Sequence, residues 1–62
     1  MFIVKYNDYD LLLFKSEKFK NEEDAIEFAM YCVNFADYDK AIVYNENNIK
    51  IAEFQKQKFV EV

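Results

Sequence analysis

The sequence predicts an α+β domain of ββαββ order, a four-stranded antiparallel sheet with one helix packed on one face. Three observations predict it. Residues 25–36 carry apolar side chains at a helical period. The segments on either side are short, apolar and rich in β-branched and aromatic residues. Between them stand Asn and Asp, which replace glycine in turns because their side chains tolerate left-handed backbone and bond locally.

The first hairpin is expected over residues 2–16. With Asp8-Tyr9 at the tip, Tyr6 pairs with Leu11, Val4 with Leu13 and Phe2 with Lys15. Side chains alternate across a strand. Phe2, Val4, Tyr6, Leu11 and Leu13 then share one face, and Ile3, Lys5, Leu12 and Phe14 the other. Both faces of this hairpin are apolar.

The helix begins at Asn21, a good N-cap, with Asp24 placed to reach back as in a capping box. Glu22, Glu23 and Asp24 set negative charge at the positive end of the helix dipole. At about 100° per residue, Ala25, Ala29, Cys32 and Ala36 line the centre of one face. Phe28 and Phe35 flank it on one side, and Ile26, Met30 and Val33 on the other. Small residues in the middle let a helix sit close on a sheet.

The second hairpin is expected from Ala41–Tyr44 and Ile49–Phe54. With Glu46-Asn47 at its tip, Tyr44 faces Ile49 and Ile42 faces Ile51. This puts Ile42 and Tyr44 under the helix and Val43, Ala52 and Phe54 on the outer face. The tail from Gln55 to Val62 is read as continued strand, because Phe59, Val60 and Val62 favour it.

At 62 residues the chain is read as a single small domain, residues 1–62. A core of this size rarely supplies more than about 3–5 kcal/mol without disulfides, metal or oligomerisation. Cys32 is the only cysteine and there is no histidine, so neither a disulfide within the chain nor a structural zinc site is expected. Oligomerisation or partner binding remains. The outer-face residues Ile3, Leu12, Phe14 and Val43 are the candidates for self-association, as a homodimer covering its second sheet face.

Composition excludes several functions. Every cation is Lys, there is no Arg, and the net charge is −4. Nucleic-acid binding rests on phosphate neutralisation and on Arg contacts to guanine, so none is expected. No apolar run approaches the roughly 20 residues a membrane span needs. The first residues carry no charged segment followed by an apolar one, so a cytoplasmic location is expected.

Catalysis finds little to work with. No histidine is present to act as a base near neutral pH, and Cys32 falls on the buried helix face. The absence of glycine excludes a phosphate loop. Asp8-x-Asp10 and Asp37-x-Asp39 look like the start of calcium loops, but neither continues with the Gly and Glu such loops require, so both read as turns. No metal, cofactor or catalytic residue is assigned.

The tyrosines point elsewhere, since Tyr is enriched at protein interfaces. Tyr9, Tyr31 and Tyr38 are expected at the surface. Asp8, Asp10, Asp37 and Asp39 bracket two of them. Tyr9, Tyr31, Tyr38, Asp37 and Asp39 are the candidate partner-binding residues, suited to a protein with a basic surface.

More than half of the chain is Phe, Tyr, Met, Ile, Asn or Lys, a signature of A/T-rich coding. The size, the acidic Tyr-bearing surface, that signature and the ββαββ pattern resemble small phage-encoded proteins that neutralise host defence systems. The resemblance implies a non-enzymatic inhibitor that occupies a target's active or assembly surface. The alternatives are a structural protein whose function is its oligomer, and an oligomer that sequesters a small molecule between subunits.

Overall fold

A computed structural model describes residues 1–7 and 14–56. Strands β1 (Phe2–Asn7) and β2 (Lys15–Phe19) precede helix α1 (Glu22–Asn34), and β3 (Lys40–Tyr44) and β4 (Lys50–Gln55) follow it. All neighbours in the sheet are antiparallel, in the order β2-β1-β3-β4, and the helix packs on one face. The chain therefore has the α+β, ββαββ architecture that its pattern predicts.

Successive cross-strand rows define the two faces. Under the helix run Glu17, Val4, Val43 and Ala52, then Lys15, Tyr6, Ala41 and Phe54. On the open face run Lys18, Ile3, Tyr44 and Lys50, then Ser16, Lys5, Ile42 and Glu53. The core forms where Ala25, Ala29, Cys32 and Val33 of α1 meet Val4, Tyr6, Ala41 and Val43. Alanines on both layers permit a close approach, and the centre is filled by Val4, Val43 and Cys32.

Two registers differ from expectation. The first hairpin pairs Tyr6 with Lys15 and Phe2 with Phe19. The partner strand is thus the charged segment Lys15–Phe19 rather than residues 11–16. An edge strand accommodates this, because charge along an open edge discourages pairing with another chain. The longer register also brings Phe19 onto Phe28, with ring centroids 5.1 Å apart. Leu11, Leu12 and Leu13 lie outside the described residues, as do Tyr9 and residues 57–62.

The second difference reverses β3. Val43 lies under the helix, fully buried, and Ile42 and Tyr44 lie on the open face. Ala52 and Phe54 likewise turn inward. A register step of one residue exchanges the faces of a strand. Here the step is decided by the central pairs Val4–Val43 and Tyr6–Ala41, which place the small residues of β3 under the small-residue stripe of the helix. A shift between Val43 and Tyr44 then pairs Tyr44 with Lys50 instead of Ile49, which is left exposed.

The helix opens at Asn21. Its side chain makes no cap bond to the backbone; its Nδ2 donates instead to Asp24 Oδ2 at 3.2 Å. At the other end the Tyr38 N–H reaches back to the Cys32 carbonyl at 3.0 Å, and Asp37 between them has φ 62°. The left-handed position that turns the chain out of the helix is thus held by aspartate, where glycine is usual.

Candidate functional site

The expected partner-binding residues that are described take different places in the fold. Tyr38 is half-buried, its ring set edge-on against Tyr6 at 4.7 Å, with Lys15 Nζ 3.3 Å from its hydroxyl and 5.6 Å from its ring centroid. Tyr38 is therefore a rim of the core. Asp37 holds the helix exit and pairs with Lys56 Nζ at 2.6 Å, which keeps its carboxyl below its ordinary range. Asp39 joins strands, its N–H donating to the Asn7 carbonyl and its carbonyl accepting from the Lys56 N–H. Tyr9 lies outside the described residues.

Tyr31 is exposed as expected, at 54%, and its ring stacks on Phe35 at 6.0 Å. Phe35 is 79% exposed rather than sealing the helix against the sheet. The two stand one turn apart, on the same flank of the helix as Phe28, which meets Phe19 of β2. Met30 is exposed on the opposite flank. Glu23, Glu27 and Asn34 occupy the surface between those flanks, and Asp24, Glu27, Tyr31 and Phe35 succeed one another at spacings of three or four residues. The helix layer thus presents carboxylates in its first half and aromatic and thioether groups in its second. Phe35 was missed from sequence because its position on the wheel sits beside Phe28; only the position of the sheet edge tells the two apart.

The open sheet face has a different character. Ile3 is half-buried, in agreement with its expected place, and Phe14 is exposed just before β2. Val43 is removed from this face by its burial in the core, which withdraws it from any role in self-association. Ile3 and Tyr44 are half-buried on this face and Ile42 is only 7% exposed, with Lys5, Lys18, Lys40 and Lys50 around them. Lys5 Nζ stands 5.3 Å from the centroid of the Tyr44 ring. Glu53 lies within 3.7 Å of Lys40 and 3.5 Å of Lys50. An acidic chain has gathered a cationic face.

Among the described residues no three Cys, Asp or Glu side chains converge as a metal site. Burial, with Glu17 nearby, pushes the Cys32 thiol above its ordinary pKa, which keeps it from being a ready thiolate. A polar hollow of about 140 Å³ is lined by Asp39, Lys40, Gln55 and Lys56. Ligand pockets usually span roughly 300–1,000 Å³. Among the described residues no helix is long and apolar enough to cross a membrane. No protein-family model, curated protein or solved structure matches this chain.

Proposed function

We propose that this chain is a non-enzymatic protein-binding inhibitor or modulator that docks through the outer surface of α1. The observation that carries the reading is the exposed Tyr31–Phe35 stack beside Asp24 and Glu27. Two adjoining aromatic rings in water are costly to leave uncovered, and rigid aromatic groups dominate binding energy at interfaces. The carboxylates beside them suit a partner bearing Lys or Arg around an apolar cleft. The resemblance to small phage-encoded anti-defence proteins gives the reading a biological form, a protein that occupies a host target's active or assembly surface from within the cytoplasm.

The test is affinity capture with three baits, the unaltered chain, Tyr31→Ala/Phe35→Ala and Lys18→Gln. A partner retained by the first and third baits and lost by the second supports the reading. A partner retained equally by all three removes the helix surface from consideration.

A further inference from the structure

We propose that the open sheet face is a docking surface for the helix layer of a second copy of this chain, so that molecules associate head to tail. It does not rest on the reading above, because self-association needs no second protein.

The charges of this molecule are sorted by layer. Glu22, Glu23, Asp24 and Glu27 are exposed on α1, which contains no lysine, arginine or histidine. Among the described strand residues the opposite surface carries Lys5, Lys18, Lys40 and Lys50 against Glu53. Both surfaces also carry apolar groups. The sheet offers the half-buried Ile3 and Tyr44 between its lysines, and the helix offers the exposed Met30, Tyr31 and Phe35 beyond its carboxylates. Each surface has the charge the other needs, together with apolar area to bury.

Symmetry decides the form of the contact. Two sheet faces meeting about a two-fold axis would set lysines against lysines, which penalises the homodimer expected from sequence. A helix layer meeting a sheet face joins unlike charges. Because the two surfaces lie on opposite sides of a two-layer molecule, each bound copy leaves a further sheet face and a further helix face open. Such a contact extends rather than closes. The stack also covers Tyr31 and Phe35, so a protein that binds α1 competes with it.

The experiment is sedimentation velocity over a concentration series, at low salt and again at about 0.5 M, where charges are screened beyond a few Å. The unaltered chain is expected to grow past a dimer at low salt and to return to monomer at high salt. Two charge-reversed variants follow, Lys5→Glu/Lys18→Glu on the sheet and Glu23→Lys/Glu27→Lys on the helix, with folding checked by circular dichroism. Each alone is expected to lose at least about tenfold in association constant, the equivalent of 1.4 kcal/mol. Mixed in equal amounts they are expected to regain association, since the unaltered helix of one meets the unaltered sheet face of the other and the reversed sheet and reversed helix again offer each other opposite charges. If a reversed variant does not fold, Lys5→Gln/Lys18→Gln and Glu23→Gln/Glu27→Gln replace them; each alone is expected to associate more weakly, and their mixture to favour a 1:1 complex, since its two remaining surfaces are both weakened.

A monomer at every concentration overturns the proposal. So does a closed dimer that tightens when the lysines are removed, which would be the symmetric pairing. A monomer whose lysine face instead binds a single-stranded oligonucleotide overturns it in favour of a polyanion.

Discussion

The Tyr38 ring meets the Tyr6 ring edge to face, with centroids 4.7 Å apart and planes inclined by 76°. Tyr6 in turn meets Phe28 at 5.4 Å and 72°, and Phe28 meets Phe19 at 5.1 Å. This aromatic row runs from the helix exit to the end of β2 and closes the side of the core that the short edge strand leaves thin. It ties Tyr38, a residue whose type and acidic neighbours suggest an interface, to the fold instead.

Tyr38→Ala is expected to cost about 1–2 kcal/mol, less than the 3–5 kcal/mol of a fully buried aromatic because the ring is half-buried. Tyr38→Phe keeps the ring contact and loses only the exposed contact with Lys15, so it is expected to stay within about 0.5 kcal/mol. Urea unfolding of both variants checks this. An alanine variant as stable as the unaltered chain would show that the row adds nothing to the core.

Val43 and Ile3 separate core from surface. Val43 is 0% exposed between the helix and β1. Val43→Ala is expected to destabilise the chain by roughly 2 kcal/mol through lost burial and the cavity left behind. Ile3→Lys on the open face is expected to leave the helical circular dichroism intact. If Ile3→Lys unfolds the chain and Val43→Ala does not, the two faces of the sheet have been assigned the wrong way round.

The helix was legible in full outline, because its period, acidic first turn and small-residue stripe all follow from local chemistry. The order of elements was legible for the same reason. What local reasoning missed was which residues pair. Leu11–Leu13 attract a strand assignment by hydrophobicity, yet β2 is built from Lys15, Ser16, Glu17, Lys18 and Phe19. An edge strand is chosen by what its outer side must avoid as much as by what its inner side buries. The face of β3 was likewise invisible. Ala41–Tyr44 is apolar throughout, so alternation carries no signal, and only the long-range pairing with β1, Val4 with Val43, sets Val43 inward. The acidic character of the helix surface could be read from the chain; the cationic sheet face could not, because its lysines come from all four strands.

The turn between β3 and β4 hangs on one side chain. Asn45 Oδ1 accepts from the Asn47 N–H at 2.9 Å and the Ile49 N–H at 3.0 Å. Two backbone donors are satisfied at once, and the chain can reverse without glycine. Asn45→Ala is expected to cost about 1–2 kcal/mol. Asn48, at φ 61°, pays for a left-handed backbone that glycine adopts freely, so Asn48→Gly is expected to be neutral or stabilising by up to about 1 kcal/mol. Thermal unfolding of the pair checks the assignment; a harmless Asn45→Ala would mean that water replaces the side chain without loss.

Acid should act through the helix exit. Lys56 holds the Asp37 carboxyl below its ordinary value of 3.8, by hydrogen bond first and by charge second. A depressed carboxylate contributes stability above its unfolded value, and that contribution is lost as pH falls through the folded value. Lys56→Gln is therefore expected to flatten the pH dependence of stability below about pH 4. An unchanged acid limb would show that this exposed pair contributes nothing.

Alkali should act through the core. Burial, with Glu17 as the smaller cause, raises the Cys32 thiol above its ordinary value of 9.0, and burial likewise raises the Tyr6 hydroxyl above 10.0. For a raised acid the sign is the reverse of Asp37. Below its unfolded pKa the thiol is protonated in both states and costs nothing. Above it the unfolded chain releases a proton that the native core retains, so stability falls as pH rises toward the folded value. The fall is expected to begin near pH 9, and Cys32→Ala is expected to remove its first part while the tyrosine part above about pH 10 persists. The same burial predicts that a thiol reagent modifies Cys32 only as fast as the chain opens, with a rate that rises in urea in step with the unfolded fraction. Rapid labelling of the native chain at neutral pH would contradict a sealed core and, with it, the close seating of α1 on β1 and β3 from which both faces of the molecule take their character.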